Sequence, residues 1–123
     1  TYQDLQISST SFQETLEVSV TIANTGDVAG REVVQLYVAA PSTAIPKPLR
    51  ELKGFAKTKL IAPGEQETLY FQVTAKNLAS FAADQRAWVA EAGTYHIQIG
   101  ADCTDIRLEA EFSAEEMVVE RVH

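Results

Sequence analysis

The chain has 123 residues, 46% of them hydrophobic and 22% charged, with a formal net charge of −7. That length suits one domain, which can bury about two-thirds of its unfolded surface around a single core without staples. No apolar run approaches the roughly 20 residues of a membrane helix, and an acidic chain with scattered Lys and Arg is repelled by phosphate backbones and anionic lipid heads, so neither membrane nor nucleic acid is an expected partner.

In chain order the sequence is a procession of short β patterns. Leu5 and Ile7 face one way and Asp4, Gln6 and Ser8 the other, giving an opening strand at a sheet edge. Leu16, Val18, Val20 and Ile22 then alternate with Thr15, Glu17, Ser19 and Thr21, the pattern of a strand buried on one side. Asn24, Thr25, Gly26 and Asp27 form a tight turn, and Gly30 frees the backbone on the way into a strand expected over 28–38. From 32 to 38 that strand is apolar on both faces, with Val34, Leu36 and Val38 on one side and Val33 and Tyr37, flanking Gln35, on the other. A strand wetted on one side does not look like this. One face is assigned to the domain's own core and the other to a neighbour. Pro41, Pro46 and Pro48 then fix φ and withhold donors, which makes the following connection a stiff excursion rather than a helix.

Residues 49–60 hold two short apolar clusters around Gly54, and Lys53, Lys57 and Lys59 form a locally basic patch. Pro63 and Gly64 make a turn, after which Leu69, Phe71 and Val73 alternate with Thr68, Tyr70 and Gln72. Residues 77–81 are expected to close a single helical turn, too short to form a layer. Trp88 lies in a weaker strand over 87–91, ended by Gly93. Tyr95, Ile97 and Ile99 alternate with Thr94, His96 and Gln98 as far as Gly100, and Ile106, Leu108, Ala110 and Phe112 alternate with the charged Asp105, Arg107, Glu109 and Glu111. The tail, 114–123, is acidic and then apolar and carries no assignment. About seven or eight strands without a long helical pattern predict an all-β fold, an immunoglobulin-like or fibronectin type III-like antiparallel β-sandwich forming one domain over 1–123. Gly93, Tyr95 and Ile97 fit the immunoglobulin-type corner in which a tyrosine hydroxyl bonds upstream backbone; the alternative is a tyrosine that is simply core.

Residues that could carry chemistry are few. Glu65 with Glu67, Glu109 with Glu111, and Glu115 with Glu116 read as solubilising charge on exposed faces, because acid/base catalysis needs carboxyls held in a cleft in unlike environments. His96 and His123 lack partners at metal-ligand spacing, and Asp102 with Asp105 reads as an Asx turn rather than a calcium loop. No serine sits in a nucleophile elbow and no glycine cluster forms a phosphate loop, so no cofactor is expected. Cys103 is the single cysteine, which excludes an internal disulfide; a lone thiol in a turn is more often inert than reactive. Tyr2, Tyr37, Tyr70 and Trp88 stand either as a sugar-stacking platform or, the favoured reading, as core and docking residues. The start at Thr1, with no basic-then-apolar leader, is the pattern of a piece of something longer.

VTIANTGDVAGREVVQLYVAAP (20–41), PLRELKGFAKTKLIAPGEQETLYFQV (48–73) and WVAEAGTYHIQIGADCTDIRL (88–108) together resemble the fibronectin type III-like domain at the C-terminus of family 3 glycoside hydrolases, the β-glucosidase and β-xylosidase group. The NTG turn, VVQLYV, ELKGF, the PGE turn and G-x-Y-x-I-x-I-G are each weak alone, but the ordered set is specific and covers nearly the whole chain. The resemblance implies a non-catalytic module. In that family the nucleophilic Asp lies on a β/α barrel and the acid/base usually on an α/β sandwich domain, and no position here matches either motif.

The partner so implied is the catalytic part of the same chain, with carbohydrate as the alternative in which the domain acts as an independent binding or adhesion module. VVQLYV and ELKGF are the segments assigned to interdomain contact, with Val33, Gln35, Tyr37, Leu49, Leu52 and Phe55 as docking residues. The doubly apolar strand is an independent reason for the same assignment. Were the chain itself a hydrolase, it would turn over aryl glycosides, which is not expected. The compartment stays open, with an exported parent favoured over a cytoplasmic one.

Overall fold

A computed structural model of the chain describes residues 1–12, 15–41, 51–82, 86–102 and 104–121. Among these residues ten strands and one short helix follow one another: β1 (Tyr2–Ile7), β2 (Thr15–Ala23), β3 (Val33–Ala39), β4 (Glu51–Lys57), β5 (Gln66–Thr74), α1 (Ala75–Leu78), β6 (Ser80–Ala82), β7 (Ala87–Ala90), β8 (Gly93–Asp102), β9 (Asp105–Ala114) and β10 (Met117–Arg121). A three-stranded sheet in the order β1-β2-β5 faces a four-stranded sheet in the order β4-β3-β8-β9, and β10-β7-β6 form a small third sheet. All pairings within these sheets are antiparallel.

The period-two patterns decide which side chains meet between the layers. Leu16, Val18 and Val20 pair in register with Val73, Phe71 and Leu69, so one face of β2 and β5 presents a continuous apolar surface. Val34, Leu36 and Val38 of β3, with Tyr95, Ile97 and Ile99 of β8 and Phe112 of β9, supply the other half of a core in which these side chains are buried. Phe112 stacks on Tyr95 at 5.4 Å and touches Phe12 at 5.9 Å. The Tyr95 hydroxyl donates to the Glu91 carbonyl at 2.7 Å, which realises the tyrosine corner and satisfies a polar group that would otherwise be stranded in the core. Burial first, and the nearby Glu91 second, push the Tyr95 phenol up to about 12.

Turn chemistry closes the layers. Asn24 Nδ2 donates to the Val28 and Ile61 carbonyls at 2.9 and 2.7 Å while its Oδ1 accepts from Gly26 N–H at 2.9 Å, so one side chain ties the NTG turn to the connection before β5. In that connection Glu65 N–H reaches the Ala62 carbonyl at 3.0 Å around Pro63 and Gly64, and Gly64 has φ of +81°, the positive value a type II turn asks of its third residue. Gly93 is fixed twice over: its φ is +144°, and an added Cβ would lie 2.9 Å from Pro41 Cγ.

Several boundaries depart from the sequence expectation. The strand expected over 28–38 starts only at Val33, because Gly30 instead forms an isolated bridge with Ile61. The helical turn lies at Ala75–Leu78 rather than 77–81: Asn77 Oδ1 accepts the Thr74 N–H at 2.8 Å and starts the turn early, and 80–81 belong to β6. β7 stops at Ala90, and β8 runs past Gly100 to Asp102 through irregularities in its pairing with β9. The tail left without an assignment supplies β10, which pairs with β7. The connection carrying Pro46 and Pro48, and Cys103, lie outside the described residues.

Candidate functional site

β3 and β4 pair antiparallel, and a glycine in β4 lets the facing sheet close on them. Gly54 stands opposite Leu36 on the inward side, and a Cβ there would be 3.3 Å from the Phe71 ring, so its missing side chain makes room for Phe71 from the opposing sheet. With Gly54 facing in, the pairing sets Phe55 beside Gln35, Leu52 beside Tyr37 and Lys57 beside Val33 on the outward side. Five of the six residues assigned to docking, Val33, Gln35, Tyr37, Leu52 and Phe55, therefore share one face; Leu49 lies outside the described residues.

Their exposure is unequal. Phe55 is 67% exposed, Leu52 49% and Val33 40%, whereas Tyr37 is only 7% exposed. The expectation that Val33 and Tyr37 both stand uncovered thus holds for Val33 and is corrected for Tyr37. Tyr37 lies on an inner strand beside Gln98, itself buried, and its hydroxyl donates to Gln35 Oε1. Val28 at 78% and Leu60 at 56% exposure extend the apolar surface at the β3 entry, flanking the bridge between Gly30 and Ile61. Apolar residues in otherwise turn-like segments were the signal for these two. Among the described residues, Val28, Val33, Leu52, Phe55 and Leu60 make up five of the eight exposed large hydrophobic ones, so this region concentrates the uncovered apolar surface.

Across the same sheet the outward chemistry turns polar. Gln98 Nε2 donates to Glu109 Oε2 at 2.7 Å, and His96 Nδ1 lies 3.7 Å from Glu109 Oε1. Lys53, in the stretch read as basic, pairs with Glu51 at 3.1 Å, while Lys57 and Lys59 are exposed. Glu67 Oε1 accepts the Lys59 N–H at 2.8 Å, and Glu111, Glu115 and Glu116 are exposed. At the β8–β9 turn the Asp102 carboxylate accepts from the Thr104 N–H and hydroxyl at 2.8 and 2.7 Å, an Asx turn that holds its carboxyl below the usual range. Asp105 takes Arg107, whose guanidinium lies 4.7 Å from the centre of the Tyr2 ring. Tyr2 is itself raised, chiefly by burial and then by Glu32. Among the described residues no group of three or more His, Cys, Asp or Glu is arranged to hold a metal, and no helix is long and apolar enough to cross a membrane.

The four-ring platform does not assemble. Tyr2 and Tyr37 are buried, and the exposed Tyr70 and Trp88 stand on different sheets. What the described surface offers is an apolar strip on β3 and β4, together with two separate exposed rings.

A family model described as "Fibronectin type III-like domain" matches residues 32–103. Beta-glucosidase 3B of Thermotoga neapolitana, solved in complex with glucose, superposes with a TM-score of 0.88 at 44% identity, over 97% of this chain and 16% of that one. Beta-glucosidase A of Butyrivibrio fibrisolvens is 36% identical over 82% of this chain and 13% of its own length, and Beta-glucosidase BoGH3A of Bacteroides ovatus is 40% identical over 75% and 12%. The chain therefore spans about an eighth of the length of these curated relatives.

Proposed function

Because the chain belongs to the fibronectin type III-like domain family, and its relatives are far longer β-glucosidases of glycoside hydrolase family 3, we propose that it is a non-catalytic accessory domain of such a hydrolase, docked on the catalytic domains through β3 and β4. The observation that carries this reading is the outward strip of Val33, Leu52 and Phe55, extended by Val28 and Leu60. A sandwich of this size can hide its aromatic and branched residues between its layers, as β8 does, yet this strip leaves them in water. Covering them with a second folded body releases that surface from hydration. Interfaces between domains of one chain bury about 600–1,500 Å² in total, and a strip on two adjacent strands suits that scale.

In this reading the domain acts by limiting motion. It holds the catalytic domains in their relative pose and lowers the population of opened forms, leaving bond cleavage to residues outside this chain. The test is deletion of the segment from the longer hydrolase. Thermal stability is expected to fall while the chemistry at the sugar in the surviving folded fraction stays the same. An unchanged melting temperature with unchanged activity would overturn the proposal, and so would turnover of aryl glycosides by the 123-residue chain alone.

A further inference from the structure

The outward face of the β1-β2-β5 sheet has a different chemistry. β1, β2 and β5 contain neither Lys nor Arg, and Glu17 is the one charge among the outward positions of β2 and β5, which apart from Ala23 otherwise carry hydroxyls, amides and a single ring. That ring is Tyr70, 75% exposed, directly across from Ser19, which is in turn paired with Gln6 of β1. A shallow groove beside the ring is lined by the polar Gln6, Ser8, Glu17 and Ser19 and by the apolar Ile7 and Val18. Among the described residues, the side chains of Tyr70, Ser19 and Gln6 make no hydrogen bond, while one row further along Gln72 Nε2 donates to Glu17 Oε1 at 3.2 Å.

We propose that this face binds a neutral polysaccharide, with one pyranose ring stacked on Tyr70 and its hydroxyls paired with Ser19, Gln6 and the Glu17–Gln72 pair. A pyranose presents an apolar face of C–H bonds rimmed by hydroxyls. Its complement is a flat exposed aromatic surrounded by unengaged donors and acceptors, which is what Tyr70 and its neighbours supply. Side chains on one face of a strand recur about every 7 Å and neighbouring strands lie about 4.8 Å apart, so the groups form an open plane suited to an extended chain. Acidic polysaccharides and nucleic acids find no countercharge here, and the net charge of −7 repels them; a neutral sugar needs none. The face lies on the opposite layer from Phe55 and Leu52, so it stands or falls separately from the docking strip.

The test is affinity electrophoresis of the 123-residue chain through native gels containing soluble β-glucan or neutral xylan, with Tyr70→Ala, Gln6→Ala and Trp88→Ala run beside it. The expected result is retardation of the parent chain and of Trp88→Ala alike. Tyr70→Ala should weaken binding at least about tenfold, a loss on the scale of one aromatic contact, and Gln6→Ala should fall between. Thermal unfolding of Tyr70→Ala should match the parent, because an exposed ring contributes little to the core. No retardation by either polysaccharide overturns the proposal, as does retardation that survives Tyr70→Ala or that only Trp88→Ala removes. A Tyr70→Ala variant that leaves retardation intact but lowers the melting temperature of the longer hydrolase would reassign the face to domain contact.

Discussion

The strand β8 and the β3–β4 pair both carry motifs that mark the family, yet the fold uses them in opposite ways. In GTYHIQIG every distinctive residue is consumed inside the chain: Gly93 by its φ and Pro41, Tyr95 by the Glu91 carbonyl and Phe112, Ile97 and Ile99 by the core, and Gly100 by the Asp105 carbonyl, which would stand 2.3 Å from an added Cβ. In VVQLYV and ELKGF, Val34, Leu36 and Gly54 are consumed in the same way, but Val33, Leu52 and Phe55 face water. A motif residue with an internal partner is explained by this domain alone. One without such a partner points beyond it, and that difference is what separates β8 from the β3–β4 pair.

Substitution sharpens the contrast. The largest effect is expected at Gly100, where a Cβ meets backbone that cannot swing aside, so Gly100→Ala should cost about 3 kcal/mol of unfolding free energy by denaturant titration. Gly93→Ala should cost about 2 kcal/mol, since it joins a left-handed backbone to a clash with Pro41. Tyr95→Phe should cost about 1–2 kcal/mol by removing the buried hydrogen bond from its hydroxyl to the Glu91 carbonyl. Tyr95 also carries a pH signature. Its folded pKa of about 12 lies above the ordinary tyrosine value of about 10, so its contribution is complete below pH 10 and is lost as pH rises toward 12. Unfolding midpoints of the parent chain should fall across that window, and Tyr95→Phe should remove this part of the fall.

Phe55→Asp should change the stability of this chain by less than about 0.5 kcal/mol, because its ring is largely in water. The same substitution in the longer hydrolase should cost about 1.5–3 kcal/mol, the scale of exposing one large apolar side chain. A large loss in the short chain, or none in the long one, would erase the distinction between β8 and the β3–β4 pair.

Sequence alternation was enough to place β2, β5, β8 and β9 and to say which of their side chains face inward, because a period of two leaves one choice of face once the apolar set is known. The Asn-Thr-Gly and Pro-Gly-Glu turns were equally legible, since their residues act on backbone only a few positions away. Tyr95 was readable only as a choice between corner and core, and the 2.7 Å bond to Glu91 decided it. Sequence also named the strip on β3 and β4, but Tyr37 and Phe55 look alike in the pattern, and only the assembled sheets show one buried and the other in water. β6 and β10 escaped for a related reason: short segments with weak alternation become strands when a partner, here β7, arrives from elsewhere in the chain. Local sequence determines what a residue prefers and which way it points, while coverage is set by distant segments whose positions exist only once the chain has folded.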